Sequence, residues 1–339
     1  MMSPEERDRY SRQIRFGGIA EEGQERLLAA TAAVVGCGAL GSFHTGALAR
    51  AGVGHLILID RDFVETSNLQ RQWLYTEQDA RDAVPKAAAA AHAIAQINSG
   101  IHVTAAVADL TTANIADLLG SAAVVLDGTD NFDTRYLVND FCVREEIPWI
   151  YGAAIGSYGL SMPVIPGRTS CLKCVFPEPP GGVQPTCETA GVVNALTSAI
   201  ASIQVADALK LLCGQEVKPR ITTLDVWSGD IRQISQPAPE PACPACGRRD
   251  FVHLQESSRA PFGLCGRNAV QVHEREQAID LQELAATLAP LGDVRAGEFA
   301  LRFAIPPYEL TVFPDGRAIV KGTSDIGLAR SLYARYVGA

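Results

Sequence analysis

Apolar and polar positions change period several times along this chain, and each change marks an element. A charged stretch opens it: Ser3-Pro4-Glu5-Glu6 reads as a helix start, with Ser3 as cap, Pro4 in the first helical position and Glu6 able to close a capping box. That helix is expected to carry Arg9-Tyr10-Ser11-Arg12-Gln13, and a second short helix to run from about Glu21 to Ala30. The β-branched apolar run Ala33-Val34-Val35 then predicts a buried strand. It meets Gly36-Cys37-Gly38-Ala39-Leu40-Gly41, after which an Ala-rich helical pattern begins. A second apolar run, His55-Leu56-Ile57-Leu58-Ile59, predicts a strand that ends on Asp60. Pro85-Lys86 opens another helix, and residues 101–107 and 122–127 read as strands with a helix between them. From Trp149 to Ile165 the pattern alternates as strands do, with glycines at 152, 156 and 159. A Pro/Gly-rich stretch, Pro177 to Pro185, precedes a long Ala-rich helix that ends near Leu212. Strands alternating with helices predict an α/β fold built on a Rossmann-like, doubly wound sheet.

The pattern resets after a Pro- and Ala-rich linker, Gln236 to Ala242. Residues 1–250 are expected to form one domain, and residues 260–339 a small C-terminal α+β module of unassigned role. In that module Phe299, Leu301, Phe303 and Ile305 alternate as a half-buried strand. Tyr308 to Val320 reads as a hairpin turning on the two residues Asp315-Gly316. Helices are expected at about Asp280 to Leu288 and Ile326 to Tyr336. A length of 339 residues suits one large domain with a small companion.

Charge and composition narrow the field of functions. The formal net charge is −9, which argues against a general binder of nucleic acid or of anionic membranes. The longest Ala-rich run, Ala87 to Ala95, is too short and too weakly apolar to span a bilayer. The charged stretch from Glu5 to Arg15 contains no apolar core of a secretory signal. Nine cysteines in such a chain point to thiols, metal or catalysis in a reducing compartment, so a cytoplasmic setting is expected.

The first candidate chemistry lies in the glycine turn. Gly36 suits the tight turn, Gly38 lets the backbone approach a phosphate, and Gly41 lets helix and strand pack closely. Asp60 follows Gly36 by about 24 residues, the spacing of a ribose-binding acid. The helix start offers unpaired N–H groups and a positive dipole end to an anion. Downstream come Ser67-Asn68-Leu69-Gln70-Arg71-Gln72, then Lys86, then Asp127-Gly128-Thr129-Asp130-Asn131. Hydride transfer, the generic reading of the glycines, has little use for an arginine, a lysine and a further aspartate at the phosphates. Adenylation does, because attack of a carboxylate on an α-phosphate loads charge on phosphoryl oxygens that fixed cations and a metal ion must stabilise. Read alone, Arg12 is a surface charge, Lys86 a solvated helix-opening residue and Asp130 a helix cap.

Cysteine spacing supplies the second. Cys171-Leu172-Lys173-Cys174 and Cys243-Pro244-Ala245-Cys246 each present two thiolates, and two such knuckles close a tetrahedral site for a structural zinc ion. Cys187, in Pro185-Thr186-Cys187-Glu188, sits at a helix start where a thiol's pKa can fall. A sulfur-transfer nucleophile and an idle accessible thiol both stay open for it. Cys37, Cys142 and Cys213 read as core.

Taken together, the glycine turn with Leu40-Gly41, Ser67 to Gln72, Pro85-Lys86, Gly128 to Asn131, the paired knuckles and Thr186-Cys187-Glu188-Thr189-Ala190-Gly191 resemble the ThiF/MoeB/HesA adenylyltransferases, bacterial relatives of ubiquitin-activating (E1) enzymes. The resemblance covers about Arg9 to Gly247, with Ala39 replacing the commoner glycine. It implies ATP-dependent adenylation of the C-terminal Gly-Gly carboxylate of a ubiquitin-like sulfur-carrier protein, for sulfur transfer in thiamine, molybdopterin or related biosynthesis. A cysteine desulfurase or sulfurtransferase would be the sulfur donor. The resemblance further implies Asn68, Arg71 and Lys86 at the phosphates of ATP and Asp130 near Mg²⁺. Arg12 would reach the partner subunit's nucleotide, hence a homodimer. Gly152-Ala153-Ala154 would lie beside the carrier's tail, and Cys187 is linked to the activated partner in some relatives and dispensable in others. The C-terminal module lacks a cysteine after Cys265, unlike the rhodanese-like module fused to some relatives. Three rivals remain. A tRNA threonylcarbamoyladenosine dehydratase would adenylate but carries neither this Asn68 to Gln72 pattern nor paired knuckles. An NAD-dependent oxidoreductase has no need of Arg71 or Lys86. A non-catalytic nucleotide-binding zinc protein would hold ATP without turnover.

Overall fold

The computed structural model describes residues 2–178, 187–255, 262–264, 269–272, 278–297 and 300–338. The chain divides into two compact units, residues 1–81 with 85–256, and residues 82–84 with 257–339. The first is built from β1 (Thr31–Val35), α1 (Ala39–Ala51), β2 (His55–Ile59), α2 (Lys86–Ile97), β3 (His102–Ala106), β4 (Val124–Asp127), α3 (Phe132–Arg144), β5 (Trp149–Ile155), β6 (Tyr158–Val164), α4 (Asn194–Leu212), β7 (Arg220–Asp225) and β8 (Asp230–Ser235), besides shorter helices. The strands form one sheet in the order β3-β2-β1-β4-β5-β6-β7-β8. β1 to β5 pair in parallel, and β6, β7 and β8 continue antiparallel. Five strands thus keep the doubly wound order, and an antiparallel extension replaces its further crossovers. β1, β2 and β4 are buried nearly throughout, as strands covered on both faces must be.

Local signals set these elements. Ser3 and Glu6 form the capping box with Pro4 in the first turn, and Gly52 closes α1 in the left-handed conformation. The first helix ends at Arg9, however, and a separate short helix, Ser11–Ile14, carries Arg12. The break buries Tyr10, whose hydroxyl accepts from Asn98 Nδ2 at 2.9 Å and whose ring fills the space beside Gly52. Among the described residues α4 is the one helix long and apolar enough to cross a membrane. It packs on β4, β5, β6 and α1, with Leu196, Ile200, Ala201 and Ala208 fully buried, and so serves as a core helix.

Among the described residues the second unit is a six-stranded antiparallel sheet carrying two helices, α5 (Leu281–Leu288) and α6 (Ile326–Tyr336). Asp280 and Asp325 cap them. Its strands are β9 (Phe262–Leu264), β10 (Ala269–Val272), β11 (Asp293–Ala296), β12 (Leu301–Ile305), β13 (Tyr308–Val312) and β14 (Ala318–Lys321), in the order β11-β12-β13-β14-β10-β9. Leu301, Phe303, Leu310, Val312 and Val320 share its core with Leu332 and Tyr333. Phe299 and Cys265 lie outside the described residues. The β13–β14 turn differs from expectation. Phe313 N–H donates to Arg317 O at 2.8 Å, so three residues, Pro314, Asp315 and Gly316, make the loop, with Gly316 at φ +85°. Three-residue loops with a left-handed glycine are the next alternative to two-residue turns.

Candidate active site

Two loops meet at the carboxyl ends of β1 and β4. Gly36, at φ +83°, turns the chain off β1, and a Cβ there would lie 2.7 Å from Gly128 O. A Cβ on Gly41 would overlap Gly36 O, and one on Gly128 would overlap the same atom. These three glycines are therefore close-packing positions. Gly38 is different: Gln72 Nε2, at 3.8 Å, is the nearest atom a Cβ there would meet, so its backbone is open. Gly38 is also the cap residue of α1 and offers no side-chain partner to the helix N–H groups.

Asp60, at the end of β2, accepts from Cys37 N–H through Oδ2 and from Asp62 N–H through Oδ1, both at 2.7 Å. Burial pushes its carboxyl above the ordinary range, with Lys86 acting in the opposite sense. Lys86 opens α2, is 5% exposed, and places Nζ 3.1 Å from Asp62 Oδ2. Asp62 O also accepts from Lys86 N–H at 2.8 Å. This partner, not singled out from sequence, offsets the cost of a cation at a helix start. The Tyr75 hydroxyl donates to Cys37 O at 2.6 Å, with Lys86 O at 3.2 Å, and so joins the glycine turn to the start of α2. Burial holds the Tyr75 phenol well above its usual pKa.

The segment between β2 and α2 contributes Asn68, Arg71 and Gln72. Asn68 is buried and its Oδ1 accepts from Glu65 N–H at 3.0 Å, which shapes the turn. Arg71 is half-buried, with Nη1 donating to Ser67 O at 2.9 Å. Gln72 is 4% exposed, and its Oε1 has no hydrogen-bond partner among the described residues. Asp130 is exposed beyond β4. Its reading as a helix cap is corrected: Asn131 caps α3, its side chain accepting from Thr134 N–H at 2.8 Å. Arg12 is exposed on its short helix, with Nη1 donating to Ser11 Oγ at 2.9 Å, and no described contact brings it to the other candidates. Cys187 begins the short helix Cys187–Ala190, and its side chain lies outside the described part of the structure.

Sequence reasoning missed a buried ion pair at the same edge. Arg135 Nε donates to Asp127 Oδ2 at 3.1 Å, and Arg135 Nη2 donates to Thr129 O at 2.7 Å and Gly152 O at 3.1 Å. Asp127 Oδ1 accepts from the Thr129 N–H at 2.9 Å and hydroxyl at 2.7 Å. Beneath it, Gln204 Nε2 of α4 donates to Asp127 O and Ile150 O, each at 3.0 Å, and Gln204 Oε1 lies 2.9 Å from His44 Nε2. His44 is fully buried on α1, and burial pushes its pKa down to about 4.

The four knuckle cysteines converge although the pairs lie far apart in sequence. All four Sγ atoms lie within 4.8 Å of one another. Cys171–Cys174, Cys171–Cys243 and Cys174–Cys246 stand at 3.9, 3.7 and 3.3 Å. A tetrahedral zinc–thiolate site with bonds of about 2.3 Å has edges of about 3.8 Å, so the cluster could bind zinc. The hydrogen bond from Cys171 pushes Cys174 down to about 4, while burial takes Cys246 up to about 12. α3 supports the first knuckle and the short helix that follows the second, with Asn139 Oδ1 accepting from Leu172 N–H at 2.9 Å and Asp140 Oδ2 from His253 N–H at 3.1 Å. Cys37, Cys142 and Cys213 are buried in the core.

A glycine turn running from a first parallel strand to an open helix start, with a pinned acid after the second strand, is the architecture of nucleotide-binding α/β proteins. The chain belongs to the ThiF family, whose model matches residues 10–245. It is 43% identical over 335 residues to the sulfur carrier protein ThiS adenylyltransferase of Bacillus subtilis, a match spanning 97% of this chain and 99% of that protein. The SAMP-activating enzyme E1 of Haloferax volcanii is 37% identical over 252 residues, 74% of this chain and 92% of that one. Among solved structures, the crystal structure of E. coli MccB with ATP shares the fold, with a TM-score of 0.61 at 22% identity over 71% of this chain and 74% of that chain.

Proposed function

We propose that this protein adenylates the C-terminal Gly-Gly carboxylate of a ubiquitin-like sulfur-carrier protein. The observation that carries this reading is the near end-to-end similarity to a ThiS adenylyltransferase. ATP lies across the glycine turn with its ribose on Asp60 and its phosphates over the open backbone at Gly38 and the start of α1. A carrier carboxylate oxygen attacks the α-phosphorus, the bond from that phosphorus to the α,β-bridging oxygen breaks, and pyrophosphate leaves with the electron pair. Arg71, Lys86 and Asn68 face the charge that develops on the phosphoryl oxygens. The buried Lys86–Asp62 pair supports this, since a desolvated cation interacts strongly with an incoming phosphate. Asp130, an exposed carboxylate on the loop beyond β4, suits a hard divalent cation. Mg²⁺ held there supplies charge neutralisation at the phosphates.

Arg12 acts in trans in a homodimer, which its exposure allows. The four-cysteine cluster holds a structural zinc ion that ties residues 171–174 to 243–246. The Cys187 thiolate attacks the carbonyl carbon of the acyl-adenylate, the acyl–oxygen bond to AMP breaks and AMP leaves, and a desulfurase or sulfurtransferase is the donor of the sulfur that the carrier finally receives. Four thiols clustered at ligand distance suit a reducing, cytoplasmic setting. Residues 1–250 form the adenylation domain, and residues 260–339 are an accessory module. ATP–pyrophosphate exchange tests the reading: exchange that requires an added carrier supports it, and ATP binding without exchange with any carrier contradicts it.

A further inference from the structure

The Asp127–Arg135 pair occupies the place where β4 stops and β5 continues. The last rung between them is Leu126 with Ile150, whereas β5 runs on to Ile155 paired with β6. Where the next rung would lie, two charged side chains take the role of a strand. Gly152 N–H lies 3.5 Å from Asp127 Oδ2, and Gly152 O accepts from Arg135 Nη2 at 3.1 Å. The same guanidinium holds Thr129 O at 2.7 Å, one residue before Asp130. From the helix side, a Cβ on Gly152 would run into the Gln204 carboxamide. Arg135 is 6% exposed, with the Phe132 and Tyr151 rings 5.4 and 5.0 Å away. Well-packed apolar side chains would often stabilise such a site equally or better. The distinctive property of this pair is geometric: one planar group holds two main-chain carbonyls, Thr129 O and Gly152 O, together with the Asp127 carboxylate.

We propose that Arg135 is a positioning residue for adenylation, locking the Thr129–Asp130 turn and strand β5 at one spacing, so that the nucleotide's phosphates and an acyl tail lying beside β5 meet in line. The inference rests on the adenylation reading above. A lysine keeps the charge but reaches fewer acceptors, so alignment is lost while ground-state nucleotide contacts remain.

The test compares wild type, Arg135→Lys and Thr129→Val in ATP–pyrophosphate exchange with the carrier, alongside calorimetric ATP binding and a circular-dichroism melt. Thr129→Val removes the hydroxyl bond to Asp127 and leaves both charges in place, so it decides the question if Arg135→Lys does not fold. The expected result is a kcat lower by roughly 10- to 100-fold in Arg135→Lys and several-fold in Thr129→Val, with ATP affinity and carrier KM within about twofold of wild type. Wild-type kcat in the folded variants overturns the positioning role. So does a parallel loss of ATP binding and turnover, which marks the pair as merely structural. Absence of exchange in wild type itself defeats the adenylation reading, and the positioning role falls with it.

Discussion

Arg71 is half-buried and Asp130 exposed, and neither belongs to the core, so their removal separates chemistry from folding. Arg71→Ala and Asp130→Ala are each expected to lower exchange by about 10²-fold or more with an unchanged melting temperature; wild-type turnover in both would remove them from the site. His44 gives a pH prediction. Its native pKa of about 4 lies below the ordinary 6.5, so between those values the unfolded chain binds a proton that the native chain does not. Stability is therefore complete above pH 6.5 and declines as pH falls toward 4, by roughly 3 kcal/mol in all. Urea midpoints measured across that range should show a shallower decline in His44→Gln than in wild type. Motif spacing pointed to Asp60 through its offset from the glycine turn, and the family resemblance pointed to Lys86. It could not point to Asp62, which matters through a contact with Lys86 across 24 residues, nor to Gln72, whose buried Oε1 is visible only in three dimensions.

Among the elements, β1, the glycine turn, α1 and β2 were legible because their determinants are local: apolar runs, a left-handed Gly36 and a helix start without bulky side chains. Gly41→Ala tests this unit, since the added methyl overlaps Gly36 O. The variant is expected to lose ATP binding and to melt earlier, as followed by calorimetry and circular dichroism. Legibility failed where the cause is distant. The first helix breaks at Tyr10 because the ring belongs beside Gly52 and the hydroxyl on Asn98. The cap of α3 moved from Asp130 to its neighbour, a choice between two good capping residues that spacing cannot make. The Asp315-Gly316 pair marked the hairpin correctly but not its length, since Gly316 turns with Pro314 as a third loop residue. The antiparallel extension through β6, β7 and β8 was not visible as such, because alternation fixes strand character and leaves pairing direction open.

For the whole molecule, the four-cysteine cluster joins segments 72 residues apart, Cys171 to Cys243 and Cys174 to Cys246. Cys171→Ser should lose zinc, read by metal analysis, and melt at a lower temperature than wild type; full stability without metal would exclude a structural ion. The knuckles were readable in sequence because thiol spacing is itself the signal, whereas the Asp127–Arg135–Gly152 junction is assembled from residues that carry no motif of their own. Relatives bear on the two units: the Haloferax volcanii protein is matched over 92% of its length by 74% of this chain, while the Bacillus subtilis protein matches almost end to end. Adenylation itself is tested most directly by intact-mass spectrometry of a Gly-Gly-tailed sulfur carrier incubated with the enzyme and ATP. A carrier heavier by one AMP, lost when its terminal glycines are removed or Arg71 is replaced, is the expected result. An unmodified carrier for every sulfur carrier tried, with ATP bound and the enzyme folded, would contradict it.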